Sequence, residues 1–273
     1  MASIAVLMGC GRGAPSDPAH DLTGLTAELV ITRQRDLLDR GLINVLTRNE
    51  SGEDLLLADR RLVADHFETV ASAGSTSLRD GRTIAIQVPY GHTVDCTDDT
   101  AVSARFAFTY RADGGSPATA SVDVTGTEIL DAIRAEQCAT RVFEAAVDAS
   151  LTDPVITAEG ELVATLRLEP TRQAADGAPT LTIVRASGTI LVAARLPDDL
   201  VPLAVPAEGE LTVPVTFTVN RCDPHALAEV TKRYGLDLDV SSDGAPPQSI
   251  AIDVSSMEDE LERIVQRCRD RAG

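Results

Sequence analysis

Two stretches of this chain, Phe106–Cys138 and Leu236–Cys268, align with each other without a gap. With the two cysteines superposed, Asp113-Gly114 falls on Asp243-Gly244, Pro117 on Pro247, Asp123-Val124 on Asp253-Val254 and Glu128 on Glu258. The cysteine match only follows from the choice of register. The others fall at turn and cap positions, where backbone chemistry restricts residue type. Upstream, the run from Gly81 to Val88 before Cys96 parallels that from Gly209 to Val215 before Cys222. The chain therefore reads as one folding unit present twice, a constraint stronger than any local propensity. Its 273 residues suit two domains of ordinary size. The expected division is a leader and tether over 1–21, a first domain over 22–138 and a second over 139–273.

Within each unit, short runs rich in Val, Ile, Leu and Thr alternate with polar residues, as at Ala27–Thr32, Leu42–Thr47, Thr83–Val88 and Arg105–Tyr110. That period of two predicts half-buried strands. Asp113-Gly114 and Asp243-Gly244 read as hairpin turns. Beyond them, Thr125 or Thr127 caps a short helix with Ile129, Leu130 and Ile133 on one face, ending near Cys138. Ser255 or Ser256 starts its counterpart, with Leu261, Ile264 and Val265 as the apolar stripe before Cys268. Asp54–Phe67 reads as partly helical. The fold class expected is mainly β: two tandem β-sandwich domains, each with a short C-terminal helix. They are only loosely immunoglobulin-like, because the cysteines are not in the usual inter-sheet places and there is no Trp.

The cysteines speak to compartment. Of the five, Cys96, Cys138, Cys222 and Cys268 form an even set, as a disulfide framework requires. Their parallel positions pair Cys96 with Cys138 and Cys222 with Cys268, one bridge per unit. Zinc is the rival, but no two cysteines lie within a few residues of each other, as zinc knuckles require. Cys10 stands apart. Leu7-Met8-Gly9-Cys10 resembles a bacterial lipobox, in which the cysteine sulfur takes a diacylglyceryl group before cleavage. The Gly- and Pro-rich stretch after it suits a tether between lipid and folded domain. A basic n-region and a longer leader are missing, so this reading takes the start codon to lie upstream. The rival reading is a cytosolic N-terminus with an incidental cysteine.

Net charge is −18 and Lys232 is the only lysine. Backbone binding to nucleic acid needs clustered cations to displace counterions, so nucleic acid is not an expected partner. Docking on an anionic membrane surface is disfavoured for the same reason. Aromatic residues are 3% of the chain, with three Tyr. A stacking platform for sugars or single strands is therefore not expected, and aliphatic side chains must build the cores. No run of eighteen apolar residues offers a membrane span.

Candidate chemistry is sparse. Cys222-Asp223-Pro224-His225 is the sharpest cluster: Asp223 and His225 could face a ligand, or could simply stabilise the turn at Pro224. The first unit reads Cys96-Thr97-Asp98-Asp99 there, so the histidine is not shared. His92, near Asp95, Asp98 and Asp99, is a second possible binding residue, but acid–base work needs a mutual geometry that spacing cannot supply. The sequence has no Gly-x-Ser-x-Gly elbow and no His-Glu-x-x-His. Asp237 to Gly244 has a calcium-loop flavour but lacks the twelfth-position Glu, and reads better as a hairpin. No catalytic residue, metal site or cofactor is assigned.

At Val88-Pro-Tyr-Gly followed by Asp95-Cys96, and at Arg221-Cys-Asp-Pro-His-Ala-Leu-Ala-Glu229 with Lys232 beyond, the chain resembles a group of secreted and lipid-anchored actinobacterial proteins. The resemblance covers both units. It implies an extracytoplasmic location and a β-rich fold, and it implies no activity. The expectation is a cell-surface binding or scaffold lipoprotein, held to the membrane by its lipid, with a protein or envelope component as partner. The alternative is an extracytoplasmic enzyme or solute-binding protein with a site between the domains.

Overall fold

The computed structural model describes residues 22–30, 36–112, 115–171, 179–230 and 233–272. The protein is mainly β. By its internal contacts it groups into two compact units, one holding the described residues up to Gly91 together with Val102–Ile129, the other His92–Ala101 and Leu130 onward. This grouping differs from the division at 138 read from the sequence: it parts the chain after Ile129, near the start of the helix Glu128–Ala146, and takes His92–Ala101 into the second unit.

In the first unit, strands β1 (Leu25–Val30), β2 (Leu42–Asn49), β3 (Leu55–Ala64), β4 (Ala71–Leu78), β5 (Thr83–Pro89), β6 (Ala104–Ala112) and β7 (Ala118–Thr125) form one sheet in the order β4-β3-β6-β7-β1-β2-β5. A short helix, α1 (Asp36–Asp39), lies between β1 and β2. Neighbouring strands are antiparallel except at β1 and β7, which meet in parallel at Ala27–Val124 and Glu28–Thr125. One face of β1 and of β6 is buried. On β6 this puts Phe106, Phe108 and Tyr110 on the core side, with ring centroids 5.3 and 6.1 Å apart along the row.

The second unit begins within helix α2 (Glu128–Ala146) and continues through β8 (Val147–Ile156), β9 (Leu162–Pro170), β10 (Leu181–Ser187), β11 (Val192–Arg195), β12 (Leu203–Ala204) and β13 (Leu211–Val219). After a short helix, α3 (Pro224–Glu229), come β14 (Leu236–Ser242), β15 (Gln248–Ile252) and helix α4 (Glu258–Ala272). These strands form two four-stranded sheets, β12-β10-β14-β15 and β11-β13-β9-β8. Their inner faces share a core of aliphatic side chains around Phe217, with Met257, Leu261, Ile264 and Val265 packing onto it.

The pairing registers recur between the units. In the first hairpin Phe106 pairs with Val122, Phe108 with Ala120 and Tyr110 with Ala118. In the second, the residues that align with these in sequence pair in the same way: Leu236 with Ile252, Leu238 with Ile250 and Val240 with Gln248. The next strand repeats too. Leu55 and Leu57 of β3 face Ala112 and Tyr110, and Leu181 and Ile183 of β10 face Ser242 and Val240. A bulge follows in both, after Ala58 and after Ile183. These registers were not used to align the sequences, so they are independent of the cysteines.

Several local expectations change. Asp54–Phe67 is not helical but holds the bulged strand β3. Asp59 takes a left-handed φ of 45° at the bulge, and the burial phase switches from Leu55 and Leu57 to Leu62 and Ala64. Ser255 and Ser256 do not cap α4: they lie in a single 3-10 turn, and the Asp253 carboxylate accepts from the Ser255 N–H and hydroxyl instead. Thr125 belongs to β7, and α2 continues through Cys138 to Ala146. Asp243-Gly244 does make the hairpin turn, with φ of 49° and 78°, which only a primed turn needs. Asp113-Gly114 lies outside the described residues, as does the leader and tether read over 1–21.

Candidate functional site

The two disulfides stand at corresponding places of the sequence repeat, and both fall within the second compact unit rather than one in each. Cys96–Cys138 has a Cα–Cα distance of 5.7 Å and Cys222–Cys268 one of 6.0 Å, within the range the bond allows. In each, a cysteine beyond a sheet strand (β5 or β13) is tied to a helix that follows a hairpin (α2 or α4). The helices place Cys138 and Cys268 on faces that also carry arginine. Bridges of this kind point to an oxidising, extracytoplasmic environment.

The surroundings of the two bridges differ. Cys96 is exposed, and the Arg141 guanidinium reaches its sulfur at 3.9 Å. Arg141 is held there by the Thr93 carbonyl, which accepts from its other terminal nitrogen. Thr93 is fully buried and donates its N–H to Gln137 Oε1 at 2.7 Å. Arg134 donates to the Thr100 carbonyl at 2.9 Å, so two α2 arginines clasp the Cys96 segment from both sides. Both cysteines line an open groove of about 430 Å³ with Asp99, Asp131 and Arg134. Cys222 instead packs against the core of its unit. Cys268 lines a second groove of about 430 Å³ with Glu159, Glu161, Arg267 and Arg271.

Asp223 serves the backbone. Its carboxylate accepts the Ala226 N–H at 3.0 Å as the N-cap of α3, and the Arg221 guanidinium lies 3.1 Å away. The capping N–H first, and Arg221 second, hold this carboxyl below its usual range. Pro224 opens the helix, where its missing N–H costs nothing. His225 is exposed on α3, and His92 is exposed in the stretch between β5 and Cys96. The two histidines thus stand on separate segments. Among the described residues, no three of His, Cys, Asp and Glu converge on a point where they could hold a metal. Cys10 and Lys232 lie outside the described residues. Elsewhere, Tyr234 ties the start of β14 to α4 by donating to Glu262, and burial together with that carboxylate pushes its phenol up.

Arg141 and Arg134 had no part in the sequence reading. Arg141 sits one turn beyond Cys138 and so shares its face of the helix. That relation was readable only if α2 was drawn past the cysteine.

No family model matches this chain, and no curated protein matches it in sequence. Among solved structures it can be superposed on the YadV chaperone, covering 84% of this chain and 98% of that one, at 9% identity and a TM-score of 0.23. The sporulation control protein Spo0M of Bacillus subtilis is covered to 99% by 92% of this chain, at 10% identity and a TM-score of 0.23. The exo-chitosanase CsxA of Amycolatopsis orientalis is covered to 26% by 82% of this chain, at 11% identity and a TM-score of 0.23. Superpositions this loose carry no argument about fold or function.

Proposed function

We propose that this protein is an extracytoplasmic binding or scaffold lipoprotein, built from two tandem β-sandwich domains and anchored through a lipid on Cys10. The observation that carries the reading is the pair of disulfides at corresponding positions, which need an oxidising compartment to form and persist. The recurring hairpin registers support duplication, and the paired four-stranded sheets of the second unit support a sandwich. Among the described residues no helix is long and apolar enough to cross a membrane. The partner is a protein or cell-envelope component bound on sheet faces or edges.

The test is photo-crosslinking of the protein in intact envelopes, with unlabelled protein as competitor. A single competed envelope component is the expected result. No crosslink, combined with a small solute that raises the melting temperature, would instead support a solute-binding protein or enzyme. Mass analysis of the protein, produced with an upstream leader, tests the anchor. A diacylglyceryl group on Cys10 is expected, and an unmodified Cys10 in membranes refutes it.

A further inference from the structure

We propose that the Cys96–Cys138 bridge is a site of thiol–disulfide exchange, at which a low-molecular-weight thiolate attacks Cys96 and leaves a mixed disulfide there. Access comes first, because exchange requires the nucleophile to reach one sulfur. Cys96 is exposed and Cys138 only partly so, and both line a groove open to solvent. At the second bridge the corresponding cysteine, Cys222, is only partly exposed and packs against the core of its unit.

Charge is the second element. The attacking thiolate is an anion that must approach the exposed Cys96 sulfur, and a fixed cation beside that sulfur draws it in and steadies its charge as the bond forms. Arg141 is that cation, 3.9 Å from the Cys96 sulfur and anchored by the Thr93 carbonyl. The buried Thr93 and its bond to Gln137 hold this anchor in place. At the second bridge Arg221 is on Asp223, while Arg267 and Arg271, the latter aligned with Arg141, share the groove beside Cys268.

The step balances without an external oxidant. The incoming sulfur bonds to Cys96 Sγ, the Cys96–Cys138 bond breaks, and its electron pair leaves on Cys138 as a thiolate, which takes a proton from water. One disulfide is consumed and one is formed. The outcome removes the covalent tie between the Cys96 segment and α2 and marks Cys96 with the small thiol, leaving the Cys222–Cys268 bridge closed.

The experiment treats the intact protein with reduced glutathione, quenches by alkylation over a time course and maps the peptides. Glutathione on Cys96 and alkylation on Cys138 are expected while Cys222–Cys268 is still bridged. Arg141→Gln slows the opening about fivefold, as a unit charge at this range in water implies, Arg141→Lys restores most of the rate, and added salt shrinks the gap. Equal opening of both bridges, an adduct on Cys138, or an unchanged rate in Arg141→Gln would overturn the proposal. The comparison of the two bridges needs no variant, so it decides the matter even if Arg141→Gln folds poorly.

Discussion

Replacing both Cys222 and Cys268 by alanine tests how the second unit is held together. The bridge spans a sequence separation of 46, and a loop of that size restricts the denatured chain by about 4 kcal/mol on the chain-entropy argument. Loss of the Cys222 side chain from the edge of the core adds a smaller cost. Against the few kcal/mol by which domains of this size are usually stable, that is a large fraction. Hydrogen exchange followed by mass spectrometry reads it locally. Amides of β9, β13 and β14 should lose about 4 kcal/mol of protection, or all of it if the unit is less stable than that. Because the main effect lies in the denatured chain, the denaturant slope should rise as the uncrosslinked chain exposes more surface. A loss below about 1 kcal/mol with an unchanged slope would refute the reasoning.

Other perturbations probe the packing and the caps. A Cβ at Gly188 would sit 2.1 Å from the Val192 carbonyl oxygen, so Gly188→Ala should cost more than about 2 kcal/mol in denaturant melts. Gly41→Ala, at a φ of 67° with open space around it, should cost only about 1 kcal/mol. Phe217 is fully buried at the centre of the second core, and Phe217→Ala should lose about 3–5 kcal/mol by the same measurement. The Ser255 N–H, then its hydroxyl, hold the Asp253 carboxyl below its ordinary value of 3.8. A carboxyl lowered in the folded state stabilises it fully above that ordinary value, and the contribution fades as pH falls through the lowered one. Exchange protection at the start of α4 should therefore weaken on acidification, and Asp253→Asn should remove that part of the pH dependence.

Much of the architecture was legible in the sequence because it was written twice. The alternation on β2, β5 and β6, the Asp243-Gly244 turn and both cysteine pairings followed from residue spacing alone. What failed has identifiable causes. In β3 the bulge at Asp59 inserts a residue, so the buried positions run Leu55, Leu57, Leu62 and Ala64. That spacing breaks the period of two and mimics a helical stripe, in a segment already rich in helix-forming Leu, Ala and Arg. β10 has the same fault line, with Leu181 and Ile183 buried before its bulge and Ala186 after it. The sequence pattern ends helix α2 near Cys138, but Ala139 to Ala146 contains neither Gly nor Pro to stop it and the helix continues. The missed helical turn hid Arg141, the side chain that distinguishes one bridge from the other. Asp223 was legible as a polar turn residue but not as a cap, because its acceptor role depends on Pro224 starting α3.

The most direct test of the account is a non-reducing peptide map of the protein isolated from the extracytoplasmic fraction of cells that produce it. The predicted result is Cys96 joined to Cys138 and Cys222 joined to Cys268, with no free thiol among the four. A Cys96–Cys222 linkage would contradict one closure per repeat, and four free thiols would contradict placement in an oxidising compartment.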